Sequence, residues 1–241
     1  MDTPIKLSVI IPCYNEKGRF VEGIGHLLSY LNKQKNGWEL ILVNDGSSDE
    51  TLNLMKEVVN RNVKIISYAK NKGKGHAIKI GVERAKGEII LFSDLDHSVP
   101  ISTIESFYKY FEKGYDVVIG SRRVKGSKFV KHQPPLRENL GRGFSFLVRI
   151  LIDWQIKDAT CGFKAFKKEP AKKLFSKISI YDWAFDAELL FLCKKYGFKY
   201  VQAPVVWKDE KGSKVSIARD VIGSLFGLIK IRINDINKKY L

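Results

Sequence analysis

Two carboxylates one residue apart, in Asp94-Leu95-Asp96, follow directly on the apolar run Glu88–Phe92. Such a run suits a buried strand, and open parallel sheets bind ligands beyond the carboxyl ends of their strands. Carboxylate oxygens placed there can hold a hard cation such as Mg²⁺ or Mn²⁺. A cation so held would neutralise the charge that grows on a diphosphate leaving group. An Asp-x-Asp pair on its own is common as a polar strand end with a helix cap. Its position behind a hydrophobic strand is what favours the metal.

Three further segments sit at equivalent places. Asn44-Asp45-Gly46-Ser47-Ser48-Asp49 follows the apolar run Glu39–Val43. Asp45 there either accepts hydrogen bonds from a base or ribose or belongs to an Asp-Gly turn with a capping Ser/Asp pair, and the residues alone leave the two level. Pro12-Cys13-Tyr14-Asn15-Glu16 ends the first apolar run. Tyr14 is suited to pack on a base and Glu16 to hold a hydroxyl, although a plain strand exit has the same composition. Gly73-Lys74-Gly75-His76 opens a helix, where backbone N–H groups and Lys74 suit phosphate. It lacks the Gly-Lys-Ser/Thr ending of a Walker loop.

These segments require a frame. Leu7–Ile11 is continuously apolar, as in a strand covered on both faces. A helix over about Arg19–Leu31 gathers Phe20, Ile24, Leu27, Leu28 and Leu31 on one side. Glu39–Val43, Val63–Ser67, Glu88–Phe92 and Asp116–Ile119 are the next strands. Between them come helices from Ser48 or Asp49 toward Val59, over Gly75–Ala85 and over about Ile101–Glu112. This order predicts an α/β fold, a Rossmann-like, doubly wound and mainly parallel sheet. Further on, Val124–Arg137 has no clear period and is expected to be a mobile basic loop. Asn139–Ile156 is an expected amphipathic helix with Phe144, Phe146, Leu147, Ile150, Leu151 and Trp154. Asp158–Lys168 is expected to be a loop entering a short strand, Trp183–Lys195 a helix and Tyr200–Trp207 a strand. Ser216–Ile236 is a second amphipathic helix with basic flanks. No repeat or linker divides residues 1–241, so one domain is expected.

The charge balance, 42 Lys+Arg against 26 Asp+Glu, leaves +16 and favours anionic partners, whether nucleic acid, nucleotide phosphate or membrane. A Lys-rich solvated surface gives the same sum. No recognition helix or aromatic sheet motif supports nucleic acid, so none is expected as a partner. Cys13, Cys161 and Cys193 match no zinc spacing and leave one cysteine over, which fits a reducing compartment. Met1–Lys6 runs straight into a strand, so no signal peptide is expected. The apolar stretches Val221–Ile229 and Phe144–Val148 are far short of the roughly 20 residues that span a bilayer.

Ile10–Glu16, Val43–Asp49 and Asp94–Asp96, in this order and spacing, resemble the inverting family 2 glycosyltransferases of GT-A fold. Asp158-Ala159-Thr160-Cys161-Gly162-Phe163-Lys164, Trp183–Leu190 and Trp207–Lys214 narrow the resemblance to the dolichyl-phosphate β-glucosyltransferases. The dolichyl-phosphate mannosyltransferases, which use GDP-mannose, match less well. The resemblance implies inverting transfer of a hexose, glucose from UDP-glucose, to a polyprenyl or dolichyl phosphate. Residues 1–120 would be the nucleotide-sugar half and 121–241 the acceptor and membrane-facing half. Pro12, Tyr14, Glu16, Val43 and Asp45 would hold the nucleoside. Asp94-Leu95-Asp96 would hold the sugar diphosphate, with Asp94 and Asp96 on a divalent metal, Mg²⁺ or Mn²⁺. Arg122 and Lys214 would meet the diphosphate beside Lys74, and Arg137 the acceptor phosphate.

An isoprenoid phosphate is already an anionic nucleophile near neutral pH, so no strong general base is needed. The task is instead to bring two anions together, which accounts for Arg122, Arg137, Lys214 and a cation in one site. Asp158 would align the acceptor or stabilise the oxocarbenium-like centre. Asp186 and Glu188 lie about 200° apart on a helix, so at least one is expected at the surface or the core edge. Trp183 and Phe185 are expected to pack rather than to carry sugar. His26 and His132 have no partner pattern and are expected to be structural or solvated. The amphipathic helices suit an anionic membrane face, with core helices of one domain as the alternative. The expected location is cytoplasmic, peripheral on the inner face of the cell membrane.

Overall fold

A computed structural model describes residues 4–131, 135–209 and 217–241, without the side chains of residues 136–137 and 217–222. The run Leu7–Ile11 is the middle of strand β1 (Ile5–Cys13). β1 pairs in parallel with β2 (Gly37–Asp45) on one side and β4 (Ile89–Phe92) on the other, and β2 with β3 (Val63–Tyr68). Along β1 the side chains alternate. Val9 and Ile11 join Leu40, Leu42 and Leu91 under helices α1 (Phe20–Leu31) and α4 (Thr103–Glu112). Ile10 joins Ile41, Val43 and Phe92 under helix α3 (Lys74–Arg84). Both faces are covered, which is why the strand sequences are apolar throughout rather than alternating.

The sheet has seven strands in the order β3-β2-β1-β4-β7-β5-β8. β5 (Val117–Ser121) and β8 (Tyr200–Pro204) are parallel to one another, whereas β7 (Lys164–Lys167) is antiparallel to both its neighbours, β4 and β5. The mixed α/β, mostly parallel architecture is the one expected from the sequence.

Several elements differ from the sequence reading. Helix α2 (Thr51–Lys56) is short and stops before Val59. Asp49 still serves its start, accepting from the Thr51 N–H at 3.0 Å and tying in the Lys17 N–H at 3.2 Å. The expected loop Val124–Arg137 contains strand β6 (Lys128–Lys131) and the first residues of α5 (Pro135–Leu151). The expected strand Tyr200–Trp207 is two strands. β8 ends at Pro204, the Val205 carbonyl accepts from Lys128 at 3.0 Å, and β9 (Val206–Lys208) pairs in parallel with β6 in a separate two-stranded sheet. Helix α6 (Lys168–Lys177) is absent from the sequence reading because only Pro170, Ala171, Leu174 and Phe175 are buried in a Lys-rich segment. Pro170 is tolerated there because it stands in the first turn.

Helix α7 (Phe185–Lys195) is buried on every side from Phe185 to Cys193. The expectation of a surface place for Asp186 or Glu188 therefore fails. They do point apart, but each meets its own partners. Asp186 pairs with the fully buried Lys164 ammonium at 2.5 Å. Glu188 accepts from the Ser179 and Ile180 N–H groups, at 2.9 and 2.8 Å, and from the Tyr240 hydroxyl at 2.5 Å. Helix α8 (Ile217–Ile236) packs against α5 and α7.

Candidate functional site

A cavity of about 530 Å³ opens at the carboxyl ends of β1, β2, β4 and β5, where the chain also enters β7. This is the ligand position expected for such a sheet. Asp94 and Asp96, leaving β4, both line it. The Lys74 ammonium lies 2.5 Å from Asp94 Oδ1, and Asp94 and Asp186 together outweigh the opposing effect of burial to hold Lys74 above its ordinary pKa. Asp96 Oδ1 accepts from the Ser98 N–H at 3.0 Å, and Arg19 Nη1 stands 3.8 Å from its Oδ2. Burial first, and then the Asp94 charge, push the Asp96 pKa up. Asp96 is thus short of positive charge, and a hard cation bound by both carboxylates would relieve it. Among the described residues no group of three His, Cys, Asp or Glu gathers to bind metal. Two carboxylates, completed by diphosphate oxygens and water, form a suitable oxygen set for Mg²⁺ or Mn²⁺. His97 is turned away, its Nε2 2.6 Å from the Gly23 carbonyl. The Leu95 side chain is buried against Gly23.

Gly162 closes on this pair from the entry to β7. A Cβ there would stand 2.0 Å from Asp94 Oδ2 and 2.8 Å from its Cγ, so any side chain must displace the carboxylate. Gly162→Ala is expected to weaken Mn²⁺-dependent nucleotide binding by about tenfold, the loss of one charge-assisted contact. Calorimetry with and without Mn²⁺ measures it, and unchanged affinity would remove Asp94 from the site.

At the end of β2, Asp45 is buried and organises backbone. Its carboxylate accepts from Asn71 Nδ2 at 3.0 Å and from the N–H groups of Lys72 and Gly73 at 2.8 and 3.0 Å. Gly73 has φ +98°, and a Cβ on it would meet the Tyr181 carbonyl oxygen at 2.4 Å. The loop is therefore pinned between β2 and residue 181, and it delivers Lys74 to the cavity. Asp45 lines the same cavity. Val43, by contrast, is fully buried in the core and does not line it.

At the end of β1, Pro12 and Tyr14 line the cavity, with Tyr14 exposed. Glu16 is engaged by Arg19, whose Nη2 donates to its Oε1 at 2.9 Å. Glu16 holds Arg19 toward Asp96, a role the sequence reading did not give to Arg19. The signal available was a carboxylate and a guanidinium three residues apart at a helix entrance.

At the end of β5, Arg122 is locked to Asp158. Nε and Nη2 donate to the two carboxylate oxygens at 2.7 and 2.8 Å, the Arg122 N–H donates to Oδ2 at 2.9 Å, and Nη2 reaches Thr160 Oγ1 at 2.8 Å. The Trp207 ring lies under the guanidinium, 5.5 Å away. Burial opposes the Asp158 charge, yet the Arg122 guanidinium overrides it and holds the carboxyl well below the usual carboxylate range. Asp158 is fully buried and does not line the cavity, and its carboxylate is taken up by Arg122.

Trp183 does not pack into the core. It lines the cavity, 38% exposed, with the Lys74 ammonium 5.9 Å from its ring centroid. Phe185 is in the core as expected. Asp182 lines the cavity beside Trp183. Lys214 and His132 fall outside the described residues, as does the side chain of Arg137. His26 is on the surface, 3.7 Å from Glu22.

Residues 8–175 match glycosyl transferase family 2. The dolichyl-phosphate β-glucosyltransferase of Homo sapiens is 33% identical over 234 residues, 89% of this chain and 71% of that one. The enzyme of the same description from Saccharomyces cerevisiae is 34% identical over an alignment of 252 positions that covers 96% of this chain and 75% of that one. Among solved structures, glucosyl-3-phosphoglycerate synthase from Mycobacterium tuberculosis, in complex with Mn²⁺, UDP and glucosyl-3-phosphoglycerate, superposes with a TM-score of 0.67 at 17% identity. It covers 93% of this chain and 80% of its own.

Proposed function

The chain belongs to glycosyl transferase family 2 and is a glycosyltransferase, and from that premise we propose that it transfers glucose from UDP-glucose, with inversion, to the phosphate of a polyprenyl or dolichyl lipid. The observation that carries this reading is the convergence of Asp94, Asp96, Lys74 and Arg122 on one cavity. Paired acids beside two cations suit a metal-bound diphosphate. Relatives about one third identical act on dolichyl phosphate by their description, which supports the acceptor.

A divalent cation, held by Asp94 and Asp96, would supply charge neutralisation at the diphosphate. The residues of the chain do the remaining work. Lys74 and Arg122 bind and orient the donor phosphates, and Asp158 with Trp207 fixes the Arg122 guanidinium in place. Tyr14 offers an aromatic face to the base. Trp183 offers one to the hexose, and Asp182 a carboxylate to its hydroxyls. An acceptor phosphate oxygen forms a bond to the anomeric carbon on the face opposite the nucleotide. The carbon–oxygen bond to the diphosphate breaks, and its electron pair leaves with UDP. An α-linked donor thereby gives a β-linked product.

The acceptor is a lipid, and no helix among the described residues is long and apolar enough to cross a membrane. Peripheral attachment through α5 and α8 is the reading that fits. Phe146, Ile150 and Trp154 are 59, 64 and 71% exposed on and just beyond α5, and Phe226, Ile229 and Ile233 are 68, 54 and 50% exposed on α8. Phe144, expected on this surface, is instead buried in the core.

Calorimetry with UDP and GDP in the presence of Mg²⁺ tests the donor. UDP is expected to bind at least about tenfold more tightly, the worth of one or two base-directed hydrogen bonds. A preference for GDP would move the chain to the mannosyltransferases.

A further inference from the structure

A second cavity, of about 490 Å³, shares Arg122 alone with the donor cavity among the described residues. Its charge is one-sided. Arg123, Arg142, Arg149 and Lys157 line it, against Glu138 as the one acid. Glu138 is taken up by Arg142 at 2.7 Å, and Arg122 by Asp158. Among the described residues the Arg123 side chain reaches only the Gly141 and Lys157 carbonyls, both at 3.5 Å, and that of Arg149 the Trp154 carbonyl at 3.2 Å. Burial and the neighbouring Arg122 and Arg142 depress the Arg123 pKa. The cavity thus carries a cationic surplus that an anion would offset.

A second observation points to a hydrogen-bond acceptor. Ser145, on α5, lines this cavity and is 1% exposed, yet its hydroxyl has no partner among the described residues. A buried, unpaired hydroxyl costs free energy and calls for an explanation. A phosphate oxygen satisfies both the cations and the hydroxyl.

The rim shows which phosphate. Phe146 lines the cavity itself while 59% exposed, and Ile150 continues the apolar strip along the same helix. Helix α8, packed on α5, has exposed apolar residues of its own in Phe226 and Ile229. An anion pocket set beside an exposed apolar strip matches a lipid headgroup at the level of a bilayer surface. Among the described residues Arg122 is the one residue the two cavities share, and Asp158 and Thr160 hold it in place. We propose that the second cavity seats the phosphate headgroup of an anionic bilayer lipid that is not itself glycosylated. This rests on the membrane-borne acceptor of the proposed function. Arg122 then touches docked lipid and donor at once.

The test is cosedimentation with phosphatidylcholine vesicles, with and without phosphatidylglycerol, for the wild type, Lys157→Gln and Ser145→Ala/Lys157→Gln. Lys157 is exposed, so the single variant keeps the test valid if the double variant folds poorly. The double variant is expected to lose about tenfold in affinity for phosphatidylglycerol vesicles and little for neutral ones. Part of the difference is expected to survive at about 1 M salt, where the Debye length is about 3 Å. Transfer to a short, soluble acceptor without vesicles is expected to keep its KM. Equal vesicle binding by all three proteins would overturn the site. So would a raised KM for the short acceptor, which would give the cavity to the acceptor's own phosphate. Failure of the wild type to use UDP-glucose would count against the proposed function instead.

Discussion

Asp96→Asn is expected to lower transfer by about a thousandfold, the scale seen when one preorganised electrostatic contact to a transition state is removed. An amide is a poor, uncharged ligand for a hard cation. The fold should not suffer. Burial and Asp94 raise the Asp96 pKa in the folded protein, so the ionised form destabilises that state at neutral pH. Removing the charge is expected to leave the melting temperature at neutral pH unchanged or slightly higher. The difference should close as the pH falls below about 4, where the wild-type carboxyl binds its proton in both states. Turnover with Mn²⁺ and melting curves at several pH values report both effects. Wild-type activity in the variant would sink the metal assignment.

Asp158→Asn should do the opposite and cost stability first. Its carboxylate is fully buried and bridged twice by Arg122. Removing one partner of such a pair leaves the other charge unpaired, at about 3 kcal/mol or more. The folded-state pKa of Asp158 is depressed by Arg122, so its stabilisation is present above the unfolded value of about 3.9 and is lost as the pH falls through the folded value. Urea unfolding at neutral and acid pH should show a large deficit that shrinks in acid. Donor KM should rise as well, because Arg122 loses its fixed direction. Arg122→Lys, which keeps the charge but not the bidentate geometry, should share the KM effect. A wild-type urea midpoint for Asp158→Asn at neutral pH would refute the pairing as a source of stability.

The sheet was legible because its strands are covered on both faces. Runs such as Leu7–Ile11 and Ile89–Phe92 have no other good use in a chain of this size. Strand-end acids were legible for the same reason, since Asp94 and Asp45 stand where a parallel sheet presents its ligand site. What those acids do was less so. Asp45 and Asp158 are both committed to holding other groups, and a carboxylate that orients Arg122 has the same letter as one that meets an acceptor. Trp183 escaped because exposure is a tertiary property. It and Phe185 are two residues apart, and only α7 settles that Phe185 turns inward. The break between β8 and β9 depends on β6, a partner some 75 residues earlier in the chain, which local patterning cannot supply.

The antiparallel strand β7 also sets a limit on how the chain can assemble. It lies between β4 and β5, and the buried Ile89–Phe92 of β4 hydrogen-bonds to it along its whole length. Everything up to residue 121 can be synthesised and still leave β4 with an open, wholly apolar edge, a template for pairing with another chain. Closure waits for Lys164–Lys167, which must slot into the middle of the sheet rather than extend its border. Such long-range insertion is slow and exposes sticky intermediates. The same event carries Gly162 onto Asp94, so a nascent or truncated chain that has not yet closed its sheet has no finished place for a nucleotide either.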